Sequence, residues 1–95
     1  MTSIGLITIH LLIPDCFSLK EKRSRVKPLL SRLHKEFNVS SAEVDLQDKW
    51  RETVIACTCV SSDRVASEKL LQQVVQYIEG YWPDLPVLDQ KIELL

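Results

Sequence analysis

Thr53-Val-Ile-Ala-Cys-Thr-Cys-Val60 is the most β-prone run of the chain, and its reading decides the fold. Its density of Val, Thr, Ile and Cys predicts a strand at the centre of a sheet. Immediately upstream, from Val39 to Leu46, Ala42, Val44 and Leu46 alternate with Glu43 and Asp45. That pattern predicts an edge strand, because inserted charges protect an open edge from pairing with another chain. The connection Gln47-Asp-Lys-Trp50 is too short for a helix, so two strands follow each other in mid-chain.

Working outward, each of these strands is flanked by a helix. On the N-terminal side, Ser18 with Glu21 three residues later forms a capping box. Beyond it, Leu19, Val26, Leu29, Leu30, Leu33 and Phe37 project within roughly a 100° arc, the stripe of a helix packed on a sheet. Pro28 projects opposite that stripe, where it removes one internal hydrogen bond and is expected to kink the helix outward. On the C-terminal side, Ser61, Ser62 and Asp63 supply caps for a second helix. There Leu70, Leu71, Val74, Ile78 and Tyr81 share a face opposite Lys69, Gln72, Gln76 and Glu79, and Gly80 and Pro83 end it.

A strand lies at each end of the chain. Ile7, Ile9, Leu11 and Ile13 alternate with Leu6, Thr8, His10 and Leu12 until Pro14 stops the run. From Val87 to Leu94, Leu88, Ile92 and Leu94 fall on one side and Asp89, Lys91 and Glu93 on the other. The order β-α-β-β-α-β predicts a ferredoxin-like α+β domain covering residues 1–95, with a four-stranded antiparallel sheet and both helices on one face. In that topology strands 1 and 2 are parallel with strand 3 between them, and right-handed crossovers fix the helices to one face. The exit of strand 1, the start of helix 1 and the turn from strand 2 to strand 3 then meet at one rim.

Charge is distributed unevenly over that frame. Residues 18–37 hold seven Lys and Arg against two acids, a net +5, while the rest of the chain sums to −6. The overall −1 conceals this polarity. Lys20, Arg25, Lys27, Arg32 and Lys35 face outward and form a candidate ladder for the phosphates of RNA. Lys22 and Arg23 lie toward or beside the apolar stripe, and helix N-termini disfavour cations. Asp45, Asp48 and Glu21 are the expected compensation, giving a candidate rim network of Lys22, Arg23, Asp45 and Asp48 with Trp50 packed over it.

The run Ser18-Leu-Lys-Glu-Lys-Arg23, followed by Phe37-Asn-Val-Ser40, Ala42-Glu-Val-Asp45, Gln47-Asp48, Trp50 and Ser62-Asp-Arg64, resembles the YlxP-like family of small bacterial proteins of unknown function. The resemblance is essentially full-length. It implies a ferredoxin-like fold and, from the family's gene neighbours in translation initiation and ribosome maturation, an RNA-linked or ribosome-linked role. It implies no established activity and no site residues to transfer. Leu12 and Leu46 depart from the pattern, standing where relatives often carry a polar residue or His.

Two functional classes follow. In the first, the protein is a non-enzymatic accessory factor whose basic helix contacts RNA or the ribosome by shape and charge. Readout across the sheet is excluded on composition, because the outward positions Thr8, His10, Val54, Ala56 and Thr58 include no aromatic residue for base stacking. In the second, the protein is a homodimeric assembly module without a nucleic-acid role. There Leu6, His10, Leu12 and Val54 form an apolar patch on the uncovered sheet face, and such patches mark interfaces.

Enzyme chemistry finds little support. With only Gly5 and Gly80 there is no glycine-rich phosphate loop, and no Cys/His set has zinc spacing. No cofactor, metal or small-molecule substrate is indicated, since neighbouring cations compete for the carboxylates of Glu43, Asp45 and Asp48. Cys16, Cys57 and Cys59 are an odd set that offers no disulfide framework, which agrees with a cytoplasmic protein. The longest apolar run falls well short of the roughly 18 residues needed to span a bilayer.

Overall fold

The computed structural model describes residues 1–95. It contains strand β1 (Ser3–Leu12), helix α1 (Leu19–Glu36), strands β2 (Ser40–Asp45) and β3 (Glu52–Ser61), helix α2 (Arg64–Tyr81) and strand β4 (Val87–Leu94). The sheet order is β2-β3-β1-β4 with every pairing antiparallel, the ferredoxin-like arrangement. The Thr53–Val60 run lies on the interior strand β3, between β2 and β1.

Alternation on the two interior strands fixes the core. Ile7, Ile9 and Leu11 of β1, with Ile13 just beyond it, are fully buried beneath the helices, as are Ile55 and Cys57 of β3. Each large aliphatic side chain buried in this way contributes about 1.5–3 kcal/mol. Leu29 and Leu33 of α1 and Leu71, Val74 and Ile78 of α2 close the layer from above. One backbone approach is unusually tight: a Cβ on Gly5 would lie 2.9 Å from Leu71 Cδ1 and 3.3 Å from Cys59 Sγ. Glycine therefore lets α2 settle onto β1 at that point.

Helix α1 begins as the capping box predicts, with one difference. Ser18 Oγ accepts the Glu21 N–H at 3.0 Å, but the Glu21 carboxylate accepts the N–H of Phe17, one residue further back, at 2.9 Å. Pro28 does not interrupt α1, which is helical from Leu19 to Glu36. The carbonyl deprived of its partner belongs to Ser24, on the exposed face, where water can satisfy it. At the other helix Asp63 is the cap, its Oδ1 accepting the Val65 N–H at 3.1 Å.

Two register shifts correct simple alternation. In β4 the shift opposite His10 and Leu11 leaves Leu88 without a partner, so Leu88 is exposed and does not join Ile92 and Leu94. In β2, Glu43 faces Ile55 while Asp45 faces Val54, with Val44 unpaired between them. Residues opposite each other share a face, so the extra residue sends Glu43 beneath the helices and Asp45 to the other side.

Candidate functional site

The rim and α1 are built around one buried cation. Lys22 belongs to the first turns of α1 and is only 2% exposed. All three of its ammonium donors find acceptors: Glu43 Oε2 at 2.9 Å, the Leu46 carbonyl at 2.6 Å and the Gln47 carbonyl at 3.4 Å. Thr53 Oγ1 donates to the same Glu43 oxygen at 2.5 Å. Leu46 takes a positive φ of 58°, a left-handed conformation that costs a leucine roughly 1–2 kcal/mol. Its carbonyl, which also accepts the Lys49 N–H at 3.0 Å, is held in place by Lys22. The lysine thus fastens α1 to the turn between β2 and β3.

The expected partners of this cation are therefore corrected. Asp45, carried away by the bulge, uses Oδ1 on its own neighbour, the Leu46 N–H, at 2.8 Å. Asp48 and the exposed Arg23 lie near Lys22 around a groove of about 290 Å³ between α1 and the β2 side, floored by Leu19, Val26 and Leu30. Trp50 lies apart from that groove and is 47% exposed. Glu43 is the residue missed, and alternation alone does not tell which face of β2 the helices cover.

The outward basic residues divide into two sets. Arg25 donates to the Pro14 carbonyl at 2.5 Å and the Asp84 carbonyl at 3.2 Å, tying two loops together. Arg32 donates to the Tyr77 hydroxyl at 3.0 Å and pairs with Glu36 at 3.1 Å. Those contacts, the Tyr77 hydrogen bond first, raise the Arg32 pKa further above its ordinary value. Lys20, Arg23, Lys27 and Lys35 are exposed, and none lies within ion-pair distance of a carboxylate.

On the uncovered sheet face, Leu6, Leu12 and Val54 are half-buried. His10, also half-buried, contacts Glu52 at 2.7 Å across strands and lies opposite Asp89 of β4. Val44 and Val60 remain exposed, so β2, β3 and β1 present a shallow apolar surface beside a charged β4 edge.

The rim also carries residues absent from the sequence-level candidates. Arg51 donates Nε to the Cys16 carbonyl at 3.2 Å and lays its guanidinium 4.9 Å from the ring centroid of Phe17. Phe17 is 61% exposed. One sequence signal could have found it. A residue preceding a helix cap normally packs on the fourth helical residue, and here that residue is Lys22, which is occupied elsewhere.

The cysteines do not contribute reactive groups to this surface. All three are buried, and burial pushes the Cys57 thiol up to about 12. Folded Cys57 keeps its proton, whereas the unfolded chain releases it near pH ~8.5. Its contribution to stability is full below that pH and declines as pH rises toward 12. Comparing urea unfolding of the wild type and Cys57→Ala at pH 7.5 and pH 10, we expect the wild-type advantage to shrink by about 1–2 kcal/mol at the higher pH. A difference that holds constant would remove the buried neutral thiol as the cause. No group of three His, Cys, Asp or Glu residues is placed to hold a metal ion, and no helix is long and apolar enough to cross a membrane.

Fold and site together define a small ferredoxin-like α+β protein whose dominant surface feature is a cationic helix beside a rim with exposed aromatic rings. The chain belongs to the family described as proteins of unknown function DUF503, matched over residues 4–92. It is similar to the uncharacterized protein YlxP of Bacillus subtilis (strain 168), with 42% identity over 78 residues, covering 82% of this chain and 85% of the relative. Among solved structures, the de novo designed protein Foldit4 resembles it in fold, with a TM-score of 0.56 over 100% of this chain and 97% of that one at 14% identity.

Proposed function

We propose that this protein is a non-enzymatic accessory factor that binds RNA, free or on a ribosomal surface, along the solvent side of α1. One observation carries the reading: Lys20, Arg23, Lys27 and Lys35 are exposed without a carboxylate partner on a segment of net +5, in a chain whose remainder is −6. A solvated cationic face needs no particular arrangement, but free cations collected on one helix create a field that an extended polyanion can neutralise at several points. The engaged Arg25 and Arg32 brace the fold and are not counted among the contacts.

The test is a titration against a structured RNA and against ribosomal subunits at low and moderate salt. With three or four phosphates neutralised, log K falls with log salt at a slope of about −2 to −4. The triple variant Lys20→Glu, Lys27→Glu, Lys35→Glu should abolish binding at moderate salt while leaving thermal unfolding nearly unchanged, since all three side chains are exposed. Equal binding by wild type and variant rejects α1 as the contact surface.

A further inference from the structure

We infer that the rim made by the β1–α1 and β2–β3 loops is a stacking platform for unpaired bases, so that the nucleic acid this protein takes is single-stranded where it crosses the rim. The inference rests on the RNA-binding reading and names the form of the ligand. Phe17, Trp50 and Arg51 receive bases; Lys20 and Lys49 meet the flanking phosphates.

The chain's six aromatic residues separate into two groups. Phe37, Tyr77, Tyr81 and Trp82 pack on one another, with centroids 5.4 Å apart for Phe37–Tyr77, 4.7 Å for Tyr77–Tyr81 and 6.0 Å for Tyr77–Trp82. Phe17 and Trp50 belong to no such cluster, and both are exposed on loops joined at the rim by the Arg51–Cys16 hydrogen bond. Two exposed rings on adjoining loops, one of them beside a guanidinium, form the kind of surface on which bases stack.

The loop beneath Phe17 is held from behind. Cys16 is fully buried and its carbonyl accepts from Arg51, the Pro14 carbonyl accepts from Arg25, and the Phe17 N–H is bonded to Glu21. The ring is therefore presented outward in a fixed position without serving the core. Ordering cost on binding is correspondingly small.

The guanidinium of Arg51 lies over the Phe17 ring, which is 61% exposed, so that bases can stack on the exposed ring or on the guanidinium plane. Trp50, next along the chain, flanks a shallow depression of about 420 Å³ bounded by Asp48, Lys49, Arg51 and Glu52. Glu52 is drawn toward His10 on the sheet face, 2.7 Å away, which reduces its opposition to a phosphate beside Lys49. Every base has a π-face, so the platform reads strandedness and not sequence.

Fluorescence anisotropy tests this with three labelled probes of equal length: oligouridylate, oligothymidylate and a blunt RNA duplex. Wild type should prefer the single strands. Phe17→Ala and Trp50→Ala should each weaken single-strand binding about tenfold and leave duplex binding unchanged, while Trp50→Phe, which keeps a ring, binds nearly as wild type. Phe17→Leu, which keeps apolar bulk without a ring, should behave as Phe17→Ala, separating stacking from any effect on folding. A preference for uridylate over thymidylate assigns RNA as the ligand; equal affinity leaves stacking intact and assigns either strand chemistry. Duplex binding as tight as single-strand binding, or alanine variants that bind like wild type, overturns the platform alone. If the wild type binds no probe, both this inference and the RNA-binding reading fall.

Discussion

Lys22→Met is expected to lower the unfolding free energy by about 3–5 kcal/mol, the penalty for removing one partner of a buried ion pair. Methionine fills the space of the lysine stem but leaves the Glu43 carboxylate without its cation and the Leu46 and Gln47 carbonyls without their donor. Glu43 is only partly buried, which places the effect toward the lower end of that range. A second substitution separates charge from packing: in Lys22→Met/Glu43→Gln the uncompensated charge is gone, and part of the loss should return. Urea unfolding of the four proteins in this cycle gives the coupling energy, with an unchanged m value as the sign that only stability moved. A single-variant loss below about 1 kcal/mol would show that Lys22 is an ordinary solvated cation. The surface consequence is as useful as the stability. Because Lys22 is neutralised internally, it contributes nothing to an external phosphate, and the α1 contact must come from its exposed neighbours.

Gly5→Ala is the second large effect, a destabilisation of about 1–3 kcal/mol from overpacking. The new methyl would meet Leu71 Cδ1 at 2.9 Å, Cys59 Sγ at 3.3 Å and Ser67 Cβ at 3.4 Å. All three neighbours are buried, so none can swing into solvent to make room. Leu71→Val removes reach at the closest contact. The double variant Gly5→Ala/Leu71→Val should therefore be more stable than the two single losses added together, because each change relieves the other. Thermal or urea unfolding measures this directly. Strict additivity would mean that α2 is free to lift from β1, and the tight approach at Gly5 would not be a constraint.

The fold was legible because its signals are local and repeated. Two-residue alternation at Ile7, Ile9, Leu11 and Ile13, the helical stripes through Leu33 and Ile78, and the cap chemistry of Ser18 and Asp63 each report their own element, although Tyr81, expected on the buried face of α2, is 72% exposed. The six elements in that order leave few ways to bury their apolar faces, so topology followed. Glu43 illustrates where this stops. Its partner Lys22 is 21 positions away, and the bulge at Val44 that turns the expected partner Asp45 to the other face is not announced by composition. A one-residue shift reverses every side chain beyond it, so Asp45, which plain alternation places on the same face as Glu43, turns to the opposite side and leaves Lys22 to Glu43. Leu88 left the apolar side of β4 for the same reason.

By itself the sequence determined which segments pair, which stripes are buried and where positive charge is concentrated, since each depends on residues close together in the chain. Tertiary structure decided which cations are free: Arg25 and Arg32 spend their donors on loop carbonyls and Tyr77, and Lys22 is sealed beneath α1, while Lys20, Arg23, Lys27 and Lys35 keep theirs for solvent. It also brought Phe17 and Arg51 together across 34 positions to make a rim that neither loop could form alone. Partners of a charge or a ring are set by distance in space, and that distance exists only once the sheet has closed its register and the helices have docked.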